Sequence, residues 1–91
     1  MKVRIYTSIP CGYCYAAKSL LQKRGVAFEE IDCTGDASTR EWLVEQSGQR
    51  TVPQIFIGDV AIGGYRELSL LDRSGKLQSI LDGQESPPSV V

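Results

Sequence analysis

Val3-Arg4-Ile5-Tyr6-Thr7-Ser8-Ile9-Pro10-Cys11-Gly12-Tyr13-Cys14 leads from a β-rich segment straight into a pair of cysteines. Residues 3–6 alternate with the period of a strand, and residues 8–10 break it. Beyond the pair, Ala16, Ala17, Leu20, Leu21 and Arg24 recur at helical spacing over residues 12–24. Lys18, Gln22 and Lys23 take the other faces, and Gly25 is a natural stop. The CxxC pair therefore stands between a strand and the first turn of a helix. A helix start presents unpaired N–H groups and positive potential, which favour a thiolate. Cys11, at the entry where Pro10 and Gly12 hold a turn, reads as the nucleophile. Cys14, about one turn further in, reads as the shielded resolving thiol. Attack by Cys11 on a disulfide makes a mixed disulfide, from which Cys14 displaces the partner by thiol–disulfide exchange.

Working outward, residues 26–32 offer Phe28 and Ile31 in a short strand interrupted by acids, and Gly35-Asp36 marks the next turn. Asp36 or Ser38 caps a second helix, with Ser38-Thr39-Arg40-Glu41 fitting a capping box, Trp42 and Leu43 its apolar stripe and Gly48 its end. Gln54-Ile55-Phe56-Ile57 and Val60-Ala61-Ile62, joined by Gly58-Asp59, read as a hairpin. A third helix spans residues 65–73, Gly75 ends it, and Leu77, Ile80 and Leu81 suggest a short last helix. The order βαβαββα predicts an α/β fold with a four-stranded mixed sheet. A helix crossover joins a parallel pair, and the hairpin adds antiparallel neighbours. Residues 83–91, with Pro87-Pro88, are expected to be a disordered tail that could be removed without loss.

Composition closes off other classes. At 91 residues the chain has room for one core. A net charge of -1 supplies no basic field, so no nucleic-acid partner is expected. No apolar run approaches the roughly 20 residues that span a bilayer, and no signal-peptide core follows Met1. The expectation is a soluble, cytoplasmic monomer without membrane contact. Histidine is absent, which excludes Cys-His and Ser-His-Asp catalysis and histidine ligation. Three cysteines are too few for a disulfide framework and fall one short of a structural zinc site, so no metal site is expected within the chain. Cys33 reads as a partly buried structural thiol.

Three separated motifs then form a pattern: Tyr6-Thr7 before Cys11-Gly12-Tyr13-Cys14, the run from Thr51 through Val52-Pro53-Gln54-Ile55-Phe56-Ile57 to Gly58, and Ile62-Gly63-Gly64-Tyr65. Over residues 2–82 the chain resembles the dithiol glutaredoxins. The resemblance implies a thioredoxin-like fold over residues 1–82, with glutathione in a groove beside the CxxC pair and its cysteine paired to the Val52 backbone before a cis Pro53. It also implies that Arg40 and Arg50 lie near the glycine carboxylate of glutathione, and that Tyr13 and Thr51 flank the groove. Gly64 and Tyr65 would offer N–H groups to the γ-glutamyl carboxylate, and Glu67 would take its ammonium.

The implied activity is glutathione-dependent reduction of protein–glutathione mixed disulfides and protein disulfides. The alternative is a 2Fe-2S cluster carrier, in which Cys11 of two chains and two glutathione thiols hold one cluster in a homodimer. Three positions depart from what many members carry: Ser8 stands where they have lysine, Gly12 where they have proline, and Arg66-Glu67 where they have an acidic pair.

Overall fold

The computed structural model describes residues 1–91. In chain order its elements are β1 (Val3–Thr7), α1 (Gly12–Lys23), β2 (Glu29–Asp32), α2 (Ala37–Ser47), β3 (Gln54–Ile57), β4 (Val60–Gly63), α3 (Tyr65–Arg73) and α4 (Lys76–Leu81). The four strands lie in the order β2-β1-β3-β4. β1 runs parallel to β2, with Tyr6 opposite Ile31, because α1 carries the chain back across one face. β3 runs antiparallel to β1, with Ile5 opposite Ile55, and the Gly58-Asp59 hairpin sets β4 antiparallel to β3.

Period-two alternation sends the strand side chains to two faces. Val3, Ile5, Ile55, Ile57 and Ile62 meet Ala17 and Leu21 of α1, Leu68 and Leu71 of α3, and Leu77 and Ile80 of α4 in the larger core. Tyr6, Phe56 and Ala61 meet Cys33 and Leu43 on the α2 face. There the Trp42 and Phe56 rings stack with centroids 5.6 Å apart, and Tyr6 meets Phe56 edge-on at 5.4 Å. Such pairs add ~1 kcal/mol each beyond the area they bury.

Local differences from expectation have physical causes. β2 begins at Glu29, because Val26 and Phe28 pack beneath the larger core without joining the ladder. Asp36 caps α2: its carboxylate accepts from Thr39 N–H at 3.1 Å and from the Ser38 hydroxyl at 3.0 Å, so Ser38 serves the cap and is not the cap. The tail has no helix or strand of its own beyond residue 83, yet it returns to the sheet. Val90 N–H donates to Ala61 O at 2.8 Å, and its side chain packs against the aromatic cluster, a contact the sequence did not signal. β4 is an outermost strand with an unpaired edge, and Val90 satisfies one carbonyl of it.

Candidate functional site

The loop between β1 and α1 is anchored at both ends. Thr7 O accepts from Cys33 N–H at 2.8 Å and from the Cys33 thiol at 3.0 Å, and Ile9 N–H donates to Thr34 Oγ1 at 2.8 Å. Cys33 is thus a buried structural thiol that pins the end of β1, and burial pushes its pKa up. This anchoring delivers Cys11, in extended conformation, to the N-cap of α1. Its sulfur accepts from Cys14 N–H at 3.1 Å, the place a capping oxygen ordinarily fills. Cys11 is partly exposed, whereas Cys14 is buried and 3% exposed. Burial, reinforced by the hydrogen bond to Cys11, pushes the Cys14 thiol up to about 12, with the Ser8 backbone and the Lys18 charge opposing the rise. Cys14 therefore rests as a thiol behind the accessible sulfur of Cys11.

The Cys11 thiol donates to Val52 O across 3.6 Å, which ties the pair to the loop before β3. The Val52–Pro53 bond is cis, and so is Ile9–Pro10, which the sequence had not signalled. Beside Val52 opens a cleft of about 390 Å³ that brings together Tyr13, Thr51, Val52, Pro53, Gly64, Tyr65 and Glu67. The Tyr13 and Tyr65 rings, both lining it, have centroids 6.0 Å apart and planes tilted by 31°.

Two expected contacts are arranged otherwise. Gly64 N–H is already bonded to Glu67 Oε1 at 2.8 Å, so the carboxylate caps α3 at its first turn. Arg40 is not in the cleft. Its guanidinium donates to Arg50 O at 3.2 Å, and both arginines line a separate cavity with Ala37, Glu41 and Val44.

Sequence reading missed Gln49 as a cleft residue, and it had placed Arg66 there only as a departure from the family pattern. Gln49 precedes Thr51 by two positions, and in an extended run such residues share a side, a signal that was available. Its Oε1 accepts from Gln54 Nε2 at 2.9 Å, which leaves its amide N–H₂ as the free donor.

A metal finds little here. No three His, Cys, Asp or Glu side chains gather to hold one, and Cys11 is the one cysteine that is not buried. An iron–sulfur cluster would draw its remaining ligands from outside the chain. A Cβ built on Gly12 meets nothing within 4 Å, so within one chain the glycine relieves no crowding. No helix is long and apolar enough to cross a membrane.

Comparison with known proteins gives the same picture. The family model for glutaredoxin matches residues 3–62. A glutaredoxin of Pseudomonas aeruginosa is 48% identical over 79 residues, which cover 87% of this chain and 94% of that one. The solution structure of glutaredoxin from Brucella melitensis superposes with a TM-score of 0.83 at 44% identity, covering 93% of this chain and 92% of that one. A buckwheat glutaredoxin–glutathione complex superposes with a TM-score of 0.83 at 30% identity, covering 90% and 77%. With a CxxC pair capping α1, a cleft beside Val52 and relatives of this closeness over nearly the whole chain, the protein belongs to the glutaredoxin family.

Proposed function

We propose that the protein is a glutathione-dependent thiol–disulfide oxidoreductase that reduces protein–glutathione mixed disulfides and protein disulfides. The carrying observation is the placement of Cys11 Sγ: partly exposed, capping α1 through Cys14 N–H at 3.1 Å, and 3.6 Å from Val52 O beside the cleft. The Cys11 thiolate attacks the glutathione sulfur of a mixed disulfide, and the protein thiolate leaves and takes up a proton. A second glutathione then attacks the Cys11–glutathione disulfide, releasing oxidised glutathione and restoring Cys11. With a protein disulfide, Cys14 instead attacks Cys11 Sγ and frees the reduced protein.

The cleft suits glutathione as the partner that the buckwheat relative was crystallised with. Exposed backbone at Val52 receives its peptide, Gln49 and Thr51 supply polar contacts, and Arg66 adds a positive charge at the α3 end, where a carboxylate fits. A CxxC pair that acts through its reduced form suits a reducing compartment such as the cytoplasm.

The test is a pair of variants assayed with glutathione and a small mixed disulfide. Cys11→Ser abolishes every redox activity. Cys14→Ser retains mixed-disulfide reduction, which needs one nucleophile, but loses most protein-disulfide reduction. The reverse pattern would exchange the two roles, and an inactive wild type would overturn the reading.

A further inference from the structure

Gln54 is fully buried at the start of β3, and its side chain reaches back to the loop that leads into that strand. Nε2 donates to Thr51 O at 2.9 Å and to Gln49 Oε1 at 2.9 Å, which uses both of its N–H groups. Oε1 has no partner, an exception for a buried acceptor. Turning the amide over would not relieve this. It would set an oxygen against Thr51 O, which only accepts, and leave Nε2 as the orphan instead. A backbone carbonyl therefore fixes the polarity of Gln54.

That polarity passes on to the cleft. Because Gln54 is obliged to donate, Gln49 must turn Oε1 toward it, and Gln49 Nε2, which bonds no protein acceptor, remains for the cleft that Gln49 lines. The backbone of Gln49 is held as well. Its N–H donates to Ser47 Oγ at 3.1 Å, and that buried hydroxyl donates to Leu43 O at 2.6 Å within α2. A glutamine on a free loop offers a ligand either end of its amide, whereas here the oxygen is already taken.

We propose that Gln54 is a positioning residue that makes the cleft selective for a carboxylate: it holds Gln49 as a donor, and the Gln49 N–H₂ takes the glycyl carboxylate of glutathione. The proposal rests on the reading of the cleft as a glutathione site. Glutathione has two unlike ends. The γ-glutamyl end carries an ammonium beside its carboxylate, and such a zwitterion suits Arg66 with Glu67, both of which line the cleft. The glycyl end carries a carboxylate alone. It needs a donor with no acceptor beside it, and Gln49 presents one once Gln54 has claimed its oxygen. The contact makes and breaks no covalent bond, and its effect is to orient the substrate for Cys11.

The experiment measures how fast the reduced protein attacks two mixed disulfides of one coloured thiol, the first with glutathione and the second with glutathione amidated at its glycine. Each rate is divided by that of a small free thiol with the same disulfide, and the quantity read is the preference for the carboxylate form. Gln54→Met, unbranched and of similar length, lowers that preference about threefold, because Gln49 is then free to offer either end of its amide. The rate with the amidated disulfide stays near wild type. Gln49→Ala lowers the preference by the same factor, and adding Gln54→Met to it changes nothing further, since Gln54 acts through Gln49. Gln49→Glu keeps the acceptor that Gln54 Nε2 bonds but turns a second oxygen to the cleft, and it reverses the preference. Equal slowing of both disulfides by Gln54→Met, or a further loss of preference in the double variant, overturns the proposal and leaves Gln54 as a support of the loop. Should Gln54→Met fail to fold, Gln49→Glu decides, and an unchanged preference there overturns it. A wild type that reacts with neither disulfide faster than the small thiol does sinks the proposed function. A wild type that reacts with both at one normalised rate sinks this inference and leaves that function standing.

Discussion

Replacing Gly63 with alanine tests the junction between β4 and the cleft. Gly63 has φ +110°, a backbone region that side chains rarely enter, and the strain of placing one there is ~1–3 kcal/mol. The added Cβ would also stand 2.8 Å from Glu67 Cγ and 2.9 Å from Cδ, and closer still to Oε1. Glu67 must swing away, and its 2.8 Å hydrogen bond from Gly64 N–H is lost. A cap of this kind, part-buried and with a charged acceptor, contributes ~1 kcal/mol. Gly63→Ala is therefore expected to destabilise by about 2–4 kcal/mol in urea unfolding followed by circular dichroism. In a Glu67→Ala background the clash and the bond are both absent, and the same substitution should cost about 1 kcal/mol less. Gly25→Ala is the control, since φ there is +69° and a Cβ meets nothing within 4 Å, leaving strain alone. If Gly63→Ala costs the same with and without Glu67, the clash is not what excludes a side chain.

Three further expectations follow from the geometry. Gln49→Ala should raise the KM for glutathione about fivefold through one lost hydrogen bond, whereas Arg40→Ala, outside the cleft, should move it far less. Equal effects would put Arg40 back at the site. The Arg24 guanidinium holds Asp72 below the usual carboxylate range, through contacts of 2.7 Å and 3.0 Å. A depressed folded pKa means stability present above the unfolded value of ~3.9 and lost as pH falls through the folded value, so Asp72→Asn should differ from wild type at neutral pH and converge with it in acid. Arg24 is half exposed, so the neutral-pH difference is small, read from urea midpoints against pH. Removing residues 85–91 should destabilise by about 1–2 kcal/mol, from one hydrogen bond and part of a valine side chain, and a neutral truncation would show that Val90 contributes nothing.

What could be read from the sequence is what local periodicity and turn chemistry specify. Val3 and Ile5 against Tyr6, and Ile55 and Ile57 against Phe56, announce two-faced strands, and Gly58-Asp59 announces the hairpin. The CxxC at the head of a helix was legible for the same reason. β2 was harder: it is an outermost strand with exposed Glu29 and Glu30, while the apolar Phe28 before it packs without pairing. Arg40 escaped because a long side chain on an exposed helix face takes its direction from whatever carbonyl is near, here that of Arg50. Glu67 was read as a ligand group because glycine at 64 supplies no side-chain half of a capping box, so the backbone half went unnoticed. The return of Val90 to Ala61 joins positions 29 residues apart, beyond the Pro87-Pro88 stretch that reads as disorder, and no local pattern encodes it.

That return also decides where foreign sequence can be attached. Cargo appended after Val91 begins one residue beyond the hydrogen bond to β4, and β4 runs directly into Gly63-Gly64 at the cleft. A fluorescent reporter or affinity handle placed there hangs its thermal load on the strand that leads into the cleft. Met1 is 64% exposed and precedes β1 at the opposite end of that strand from the cysteine loop, so a label belongs at the amino terminus.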